Sequence, residues 1–125
     1  MNELPVFMQI METIEADIMT GVYRADDLII STTQIAKLYS VNPNTAVKAV
    51  AKLAEAGVLY KRRGIGMCVA PGAKDQIVAR RRQAFMTETL PGVLTEARVL
   101  GMTRDELLDA ITAADSATPE KGSNQ

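Results

Sequence analysis

The sequence predicts a mainly α fold with a small β wing: a winged helix-turn-helix domain followed by a two-helix dimerisation segment. Three observations predict it. The stretch STTQIAKLYSVNPNTAVKAV, Ser31 to Val50, carries two helix starts separated by a tight break. Two short strand-like runs, Val58–Lys61 and Met67–Ala70, follow around a glycine-containing turn. Beyond them, Met86, Leu90, Val93, Leu94, Ala97 and Leu100, and then Leu107, Leu108, Ile111 and Ala114, recur at the spacing of helix faces.

In chain order, residues 5–20 read as a helix. Phe7, Ile10, Met11, Ile14 and Ile18 form its apolar face, Glu12, Glu15 and Asp17 lie elsewhere, and Gly21 ends it. Residues 23–30 form a loop whose apolar end, Leu28-Ile29-Ile30, is placed to join the wing as a third strand. Asp26 and Asp27 read as solubilising loop acids, because no further metal ligands cluster near them in sequence. Ser31 with Gln34 three residues on is a capping box, and Ile35, Ala36, Leu38 and Tyr39 are the apolar positions of the short helix it starts. After a break at Ser40-Val41, Asn42 is a favoured N-cap and Pro43 fits the first helical position, where its missing N–H costs nothing. This helix runs to Ala56 and stops at Gly57.

The helix after Asn42 has two faces. Val47, Val50, Ala51, Leu53 and Ala54 are expected to face a core. Asn44, Thr45, Lys48 and Lys52 lie on another face, with Glu55 its only acid. Amide and ammonium groups so placed can read adenine, guanine or a phosphate. Two helix lysines alone usually mean a solvated face. The adjoining Lys61-Arg62-Arg63-Gly64 shifts that balance by adding three cations at a turn whose glycine allows close backbone approach. Gly64-Ile65-Gly66 is not a nucleotide loop, since no helix follows to supply its N-terminal dipole.

From Gly72 a second organisational unit is expected, spanning 73–115 after a first domain of 1–72. Asp75 suits a helix start, the apolar period continues in phase across Pro91-Gly92, and a kink rather than a break is expected there. Arg80-Arg81-Arg82 has two readings, contact with phosphates near the wing or pairing with acids of a partner chain. Gly101 ends this helix, and Thr103 with Glu106 starts the last one, to about Asp115. Residues 116–125 are polar, with Pro and Gly, and are expected to be disordered. Two helices this short cannot bury their own apolar faces; either the same unit from a second copy covers them, the economical solution, through Leu90, Leu94, Ala97, Leu107 and Ile111, or both helices fold back onto the first domain.

Composition narrows the function classes. A length of 125 residues holds one domain and a small appendage. With no His and a single Cys, Cys68, the chain alone supplies neither a zinc finger nor a Cys/His nucleophile pair. No convergent catalytic set, metal site or cofactor motif is present, so an enzyme is not expected. No apolar run approaches the roughly 18 residues of a membrane span, and no signal-peptide pattern opens the chain, so a cytoplasmic location is expected. The net charge of −1 hides a segregated distribution. Residues 1–47 carry −4, residues 48–82 carry +7 and residues 83–125 carry −4, which places the basic block on the capped helix and wing.

At these residues the chain resembles the GntR family of bacterial transcription regulators. Pro5-Val6-Phe7-Met8-Gln9-Ile10 is similar to the family's P-L-Y-x-Q-I, and Gly21-Val22-Tyr23 to its G-x-Y. Val41-Asn42-Pro43-Asn44-Thr45 with Lys48-Ala49 resembles the start of its recognition helix. Leu53 with Gly57-Val58-Leu59, and Gly64-Ile65-Gly66 with Val69, resemble its helix end and wing. The likeness covers about residues 4–71, and the shortness of the remainder resembles the small YtrA-type branch, with two helices in place of an effector domain. Asp26, Ile30 and Thr33 stand where many members have Gly, Pro and an Arg that commonly contacts DNA.

The resemblance implies a dimeric regulator, a repressor binding double-stranded DNA at an inverted repeat, with transporter genes as a frequent class of target. Ser31, Thr33, Asn42, Asn44, Thr45, Lys48, Lys52, Arg62, Arg63 and Gly64 are then the candidate DNA-binding residues. The sequence identifies no small-molecule effector and leaves one open. The rival reading is a winged-helix module for protein contacts without specific DNA binding. A steep salt dependence of duplex binding separates the two.

Overall fold

The computed structural model describes residues 4–118, and the chain divides into two compact units, Met1–Arg82 and Gln83–Gln125. In the first, α1 (Val6–Met19), α2 (Thr32–Tyr39) and α3 (Pro43–Glu55) precede a hairpin of β1 (Leu59–Arg62) and β2 (Gly66–Val69), and α4 (Ala73–Ala84) follows. The helix starts obey their capping chemistry. Ser31 Oγ accepts from the Gln34 N–H at 3.1 Å, and the Gln34 side chain accepts from the Ser31 N–H at 3.0 Å. Asn42 Oδ1 accepts from the Asn44 N–H at 2.8 Å, with Pro43 directly behind it. Between the two helices Ser40 takes a left-handed φ of 55°, which closes the turn.

One core joins these elements. Ile10, Ile14 and Ile18 of α1 meet Ile35 of α2, Leu53 of α3, and Val58, Leu59 and Val69 at the hairpin. The buried face of α3 differs from the expected one. Ala46, Ala49, Val50 and Leu53 are inside, while Val47 is 49% exposed and Ala51 is also exposed. α3 packs against both α1 and α2. Ala46, Ala49, Val50 and Leu53 recur at i, i+3, i+4 and i+7 and so share one helical face, and Val47, one residue round from Ala46, falls outside it. Leu38 of α2, expected at an apolar position, is exposed because it faces away from this contact.

The hairpin is antiparallel, with Leu59 opposite Val69 and Arg62 opposite Gly66. Both strands lie one residue nearer the tip than expected. Gly64, at φ 77°, and a bond from the Ile65 N–H to the Arg62 carbonyl make a three-residue turn, so Arg62 and Gly66 pair within the ladder. Gly66 suits its place: φ is 140°, where L side chains are strained, and an added Cβ would lie 3.0 Å from Leu28 Cδ1, which would have to give way. The expected third strand is reduced to an isolated bridge between Leu28 and Cys68.

Ala73 and Ile77 of α4 are buried in the same core, which is why the first unit reaches Arg82 rather than ending at the Gly72 turn. Gln76 adds a bond to the Ala56 carbonyl at 2.7 Å. Glu15, read from sequence as lying off the apolar face, is 5% exposed. Its carboxylate accepts hydrogen bonds from Arg80 Nη2 and, at 3.1 Å, from Arg81 Nη2. Arg80 and Arg81 therefore answer an acid of their own chain, a role different from both of those expected for the arginine run.

The second unit contains α5 (Leu90–Val99) and α6 (Arg104–Ala117). The irregularity expected at Pro91-Gly92 is a π turn over Phe85–Thr89 instead. Pro91 offers no N–H to the Thr87 carbonyl and its ring crowds that group, so the turn preceding it widens. The Leu90 N–H accordingly bonds the Phe85 carbonyl, five residues back. Thr103 and Glu106 cap α6 reciprocally, at 3.0 and 2.8 Å. α6 runs two residues past the expected end, and residues 119–125 of the expected tail lie outside the described ones.

Replacing Arg80 and Arg81 together by Ala strands the buried carboxylate. Urea melts followed by circular dichroism should show a loss of about 3 kcal/mol, the low end for breaking a buried pair because both guanidinium groups are partly exposed. Arg82→Ala, with no ion pair among the described residues, should change stability by less than about 0.5 kcal/mol.

Candidate nucleic-acid interface

With Ala46, Ala49, Val50 and Leu53 packed behind it, α3 presents the opposite face to solvent: Asn44, Val47, Lys48, Ala51, Lys52 and Glu55 are all exposed. Thr45, at the edge of this face, is half-buried. Asn42 is exposed, but its side-chain oxygen is already spent on the cap, so only its NH₂ remains as a donor. Ser31 is likewise committed to its capping box, and Thr33 is exposed in the first turn of α2. The structure thus separates two sets. Asn44, Lys48 and Lys52 form a ridge on α3, whereas Ser31 and Asn42 set helix starts.

Lys48 is not a loose lysine. Its Nζ lies 4.1 Å from the centroid of the Phe7 ring on α1, a cation–π contact that holds the ammonium at the edge of the α3 face. Lys52 makes no ion pair among the described residues and extends the ridge by one turn.

On the wing, Arg63 and Gly64 occupy the exposed turn, and Lys61 and Arg62 the end of β1. Arg62 is held in a chain of contacts that the sequence did not announce. Its Nη2 donates to the Tyr60 hydroxyl at 2.8 Å, and that hydroxyl donates to Asp26 Oδ1 at 2.7 Å. Arg62 Nη2 lies 3.9 Å from the same carboxylate oxygen. The bond to Asp26 raises the Tyr60 phenol above its ordinary value, and the bond to Tyr60 raises the Arg62 guanidinium. Asp26 is therefore more than a loop solubiliser. Tyr60 and Arg62, two apart on β1, share one face of the strand, a period-two signal readable in sequence. Its link to an acid 34 residues earlier was not readable there.

Val47 and Ala51, which periodicity assigned to the core, also belong to this surface. On the exposed face they offer apolar contact, which suits a thymine methyl group in a major groove.

The second unit, described by itself, places Leu90, Leu94, Ala97, Leu107 and Ile111 along one apolar groove of about 400 Å³, with Val93 and Leu108 beside them. Ala97 is buried, Leu90 and Leu107 are half-buried, and Leu94 and Ile111 are 39% and 51% exposed. No group of three or more potential metal ligands occurs among the described residues, and no helix among them is long and apolar enough to cross a membrane.

A capped helix with a polar outer face, seated on two others and flanked by a cationic hairpin, defines a winged helix-turn-helix domain of the kind that enters DNA grooves. Residues 8–69 match the family described as bacterial regulatory proteins, gntR family. The chain belongs to that family and is a DNA-binding transcription regulator. Its relatives include the uncharacterised HTH-type transcriptional regulator YhcF of Bacillus subtilis, 28% identical over 86% of this chain and 87% of that protein. The HTH-type transcriptional repressor YtrA of the same organism is 25% identical over 85% and 81%. Among solved structures, a GntR-family regulator from Bacteroides thetaiotaomicron shares 29% identity at a TM-score of 0.72, covering 90% of this chain and 97% of its own. The DNA-binding domain of AraR in complex with operator ORR3 shares 30% identity at a TM-score of 0.53, covering 55% and 83%.

If the α3 ridge and wing tip are the contact surface, Lys48→Ala and Arg63→Ala should each weaken duplex binding and lower the slope of log affinity against log salt by about one unit. Folding and self-association should be unaltered by circular dichroism and sedimentation. Binding unchanged in both variants at moderate salt would remove these residues from the interface.

Proposed function

We propose that this protein is a cytoplasmic repressor that binds an inverted-repeat operator as a homodimer. In this reading α3 enters the major groove with Asn44, Thr45, Lys48 and Lys52 foremost. Asn42, Ser31 and Thr33 contribute near the backbone, and Arg62, Arg63 and Gly64 lie along the neighbouring phosphates or minor groove. The complex of the AraR DNA-binding domain with an operator supports the DNA contact, and the relative YtrA, a repressor by name, supports repression. Transporter genes are the class of target that the resemblance suggests.

The observation that carries the dimer is the groove of the second unit. Leu94, Val93, Leu108 and Ile111 leave a continuous apolar surface exposed on a pair of short helices. Such surface is unfavourable in water and is relieved by a symmetric copy of itself. Two DNA-binding units joined in this way read two half-sites, and the second binds at the high effective concentration set by the first.

Truncation tests this proposal. The cut belongs after Arg82, because a chain ending at Gly72 would lose Ala73 and Ile77 from the core. The shortened protein should be folded and monomeric by sedimentation. Its affinity for a palindromic site should fall by on the order of a hundredfold or more, with little change at a lone half-site. A truncated protein that remains dimeric, or that binds both sites as the whole chain does, would place the dimer contact elsewhere.

A further inference from the structure

Asp26 takes a left-handed φ of 69°, a conformation uncommon for residues other than glycine. Its backbone is pinned there, since the Asp26 N–H donates to the Val69 carbonyl at 2.7 Å and the Asp27 carbonyl accepts from the Val69 N–H at 2.9 Å. A glycine would meet the same backbone requirement without strain. What the aspartate adds is a carboxylate delivered to the base of the wing. That carboxylate accepts from Tyr60 and reaches Arg62 through it. The ion pair is open to water, with side chains 43% and 53% exposed, so it adds little to stability. A phosphate arriving at the wing, however, would meet a cation that already has an anionic partner.

We propose that Asp26 is a built-in counter-anion of the wing, which engages Arg62 through Tyr60 and weakens its hold on DNA phosphates of any sequence. The proposal rests on the reading that the wing contacts DNA. Binding to a non-operator duplex depends almost wholly on phosphate neutralisation, so that background is where the brake acts most clearly. An acid at this place holds down binding to bulk DNA without touching the α3 face that reads bases. Lys61 and Arg63, which make no ion pair among the described residues, remain available at the wing.

A double-mutant cycle on the full chain tests it, using a short duplex of random sequence as the probe. Asp26→Asn is the informative variant: Asn tolerates the left-handed region, and its amide oxygen still accepts from Tyr60, so the charge alone is lost. Asp26→Gly, suited to the same φ, is the second. Each should bind the random duplex about two- to fivefold more tightly, the scale of an exposed ion pair. The salt slope should steepen by up to about one unit. Arg62→Ala should weaken binding, and in that background the gain from Asp26→Asn should largely vanish. An equal gain in both backgrounds would mean simple repulsion between Asp26 and DNA, and no gain in either would mean a purely structural acid; both overturn the proposal while leaving the wing reading intact. Unaltered binding of Arg62→Ala would overturn the wing reading itself, and the proposal with it.

Discussion

The close seating of α3 is the constraint on which the first unit depends. Ala46 and Ala49 are fully buried at the contact of this helix with α1 and α2. A larger side chain at either position would force the helices apart, because cores at native density have no slack. Seating α3 on its smallest residues has a second consequence. Its opposite face is kept out of the core, and Asn44, Val47, Lys48, Ala51 and Lys52 stand exposed there, with Lys48 resting on Phe7. The rear of the helix sets its position, and the front is the surface proposed to meet DNA.

Charge is placed with the same economy. Residues 48–82 hold the basic block, yet its members do different things. Arg80 and Arg81 satisfy a buried glutamate and so fasten α4 to α1. Arg62 is tied to Asp26 through Tyr60. Lys48 rests on Phe7. Lys52, Lys61, Arg63, Lys74 and Arg82 make no ion pair among the described residues, and of these Lys52, Lys61 and Arg63 lie on α3 and the wing. A count of basic residues therefore overstates the footprint.

Local signals were legible in the sequence. Both capping boxes, the Asn42-Pro43 start and the glycine at the wing turn act over three or four residues, and each forms as its residues dictate. What escaped were choices made by packing partners. Val47 and Ala51 read as core positions, whereas Ala46 and Ala49 are the ones buried with Val50 and Leu53. Glu15 and Asp26 read as surface acids because the arginines and tyrosine that answer them lie 65, 66 and 34 residues away. The response to Pro91 was displaced into the preceding turn, since a proline disturbs the carbonyl four residues behind it. The polar residues of the α3 face were legible as a set, but their apolar neighbours on that face were not.

The proposed two-fold regulator, reading base pairs from α3, would make one direct demand on its DNA. Selection of bound duplexes from a random pool by the full chain, followed by sequencing, measures that demand without a chosen operator. A symmetric pair of recognition helices predicts enrichment of two copies of one short motif, in inverted orientation and at fixed spacing. Enrichment of a single unpaired motif, or none above the input pool, would contradict it.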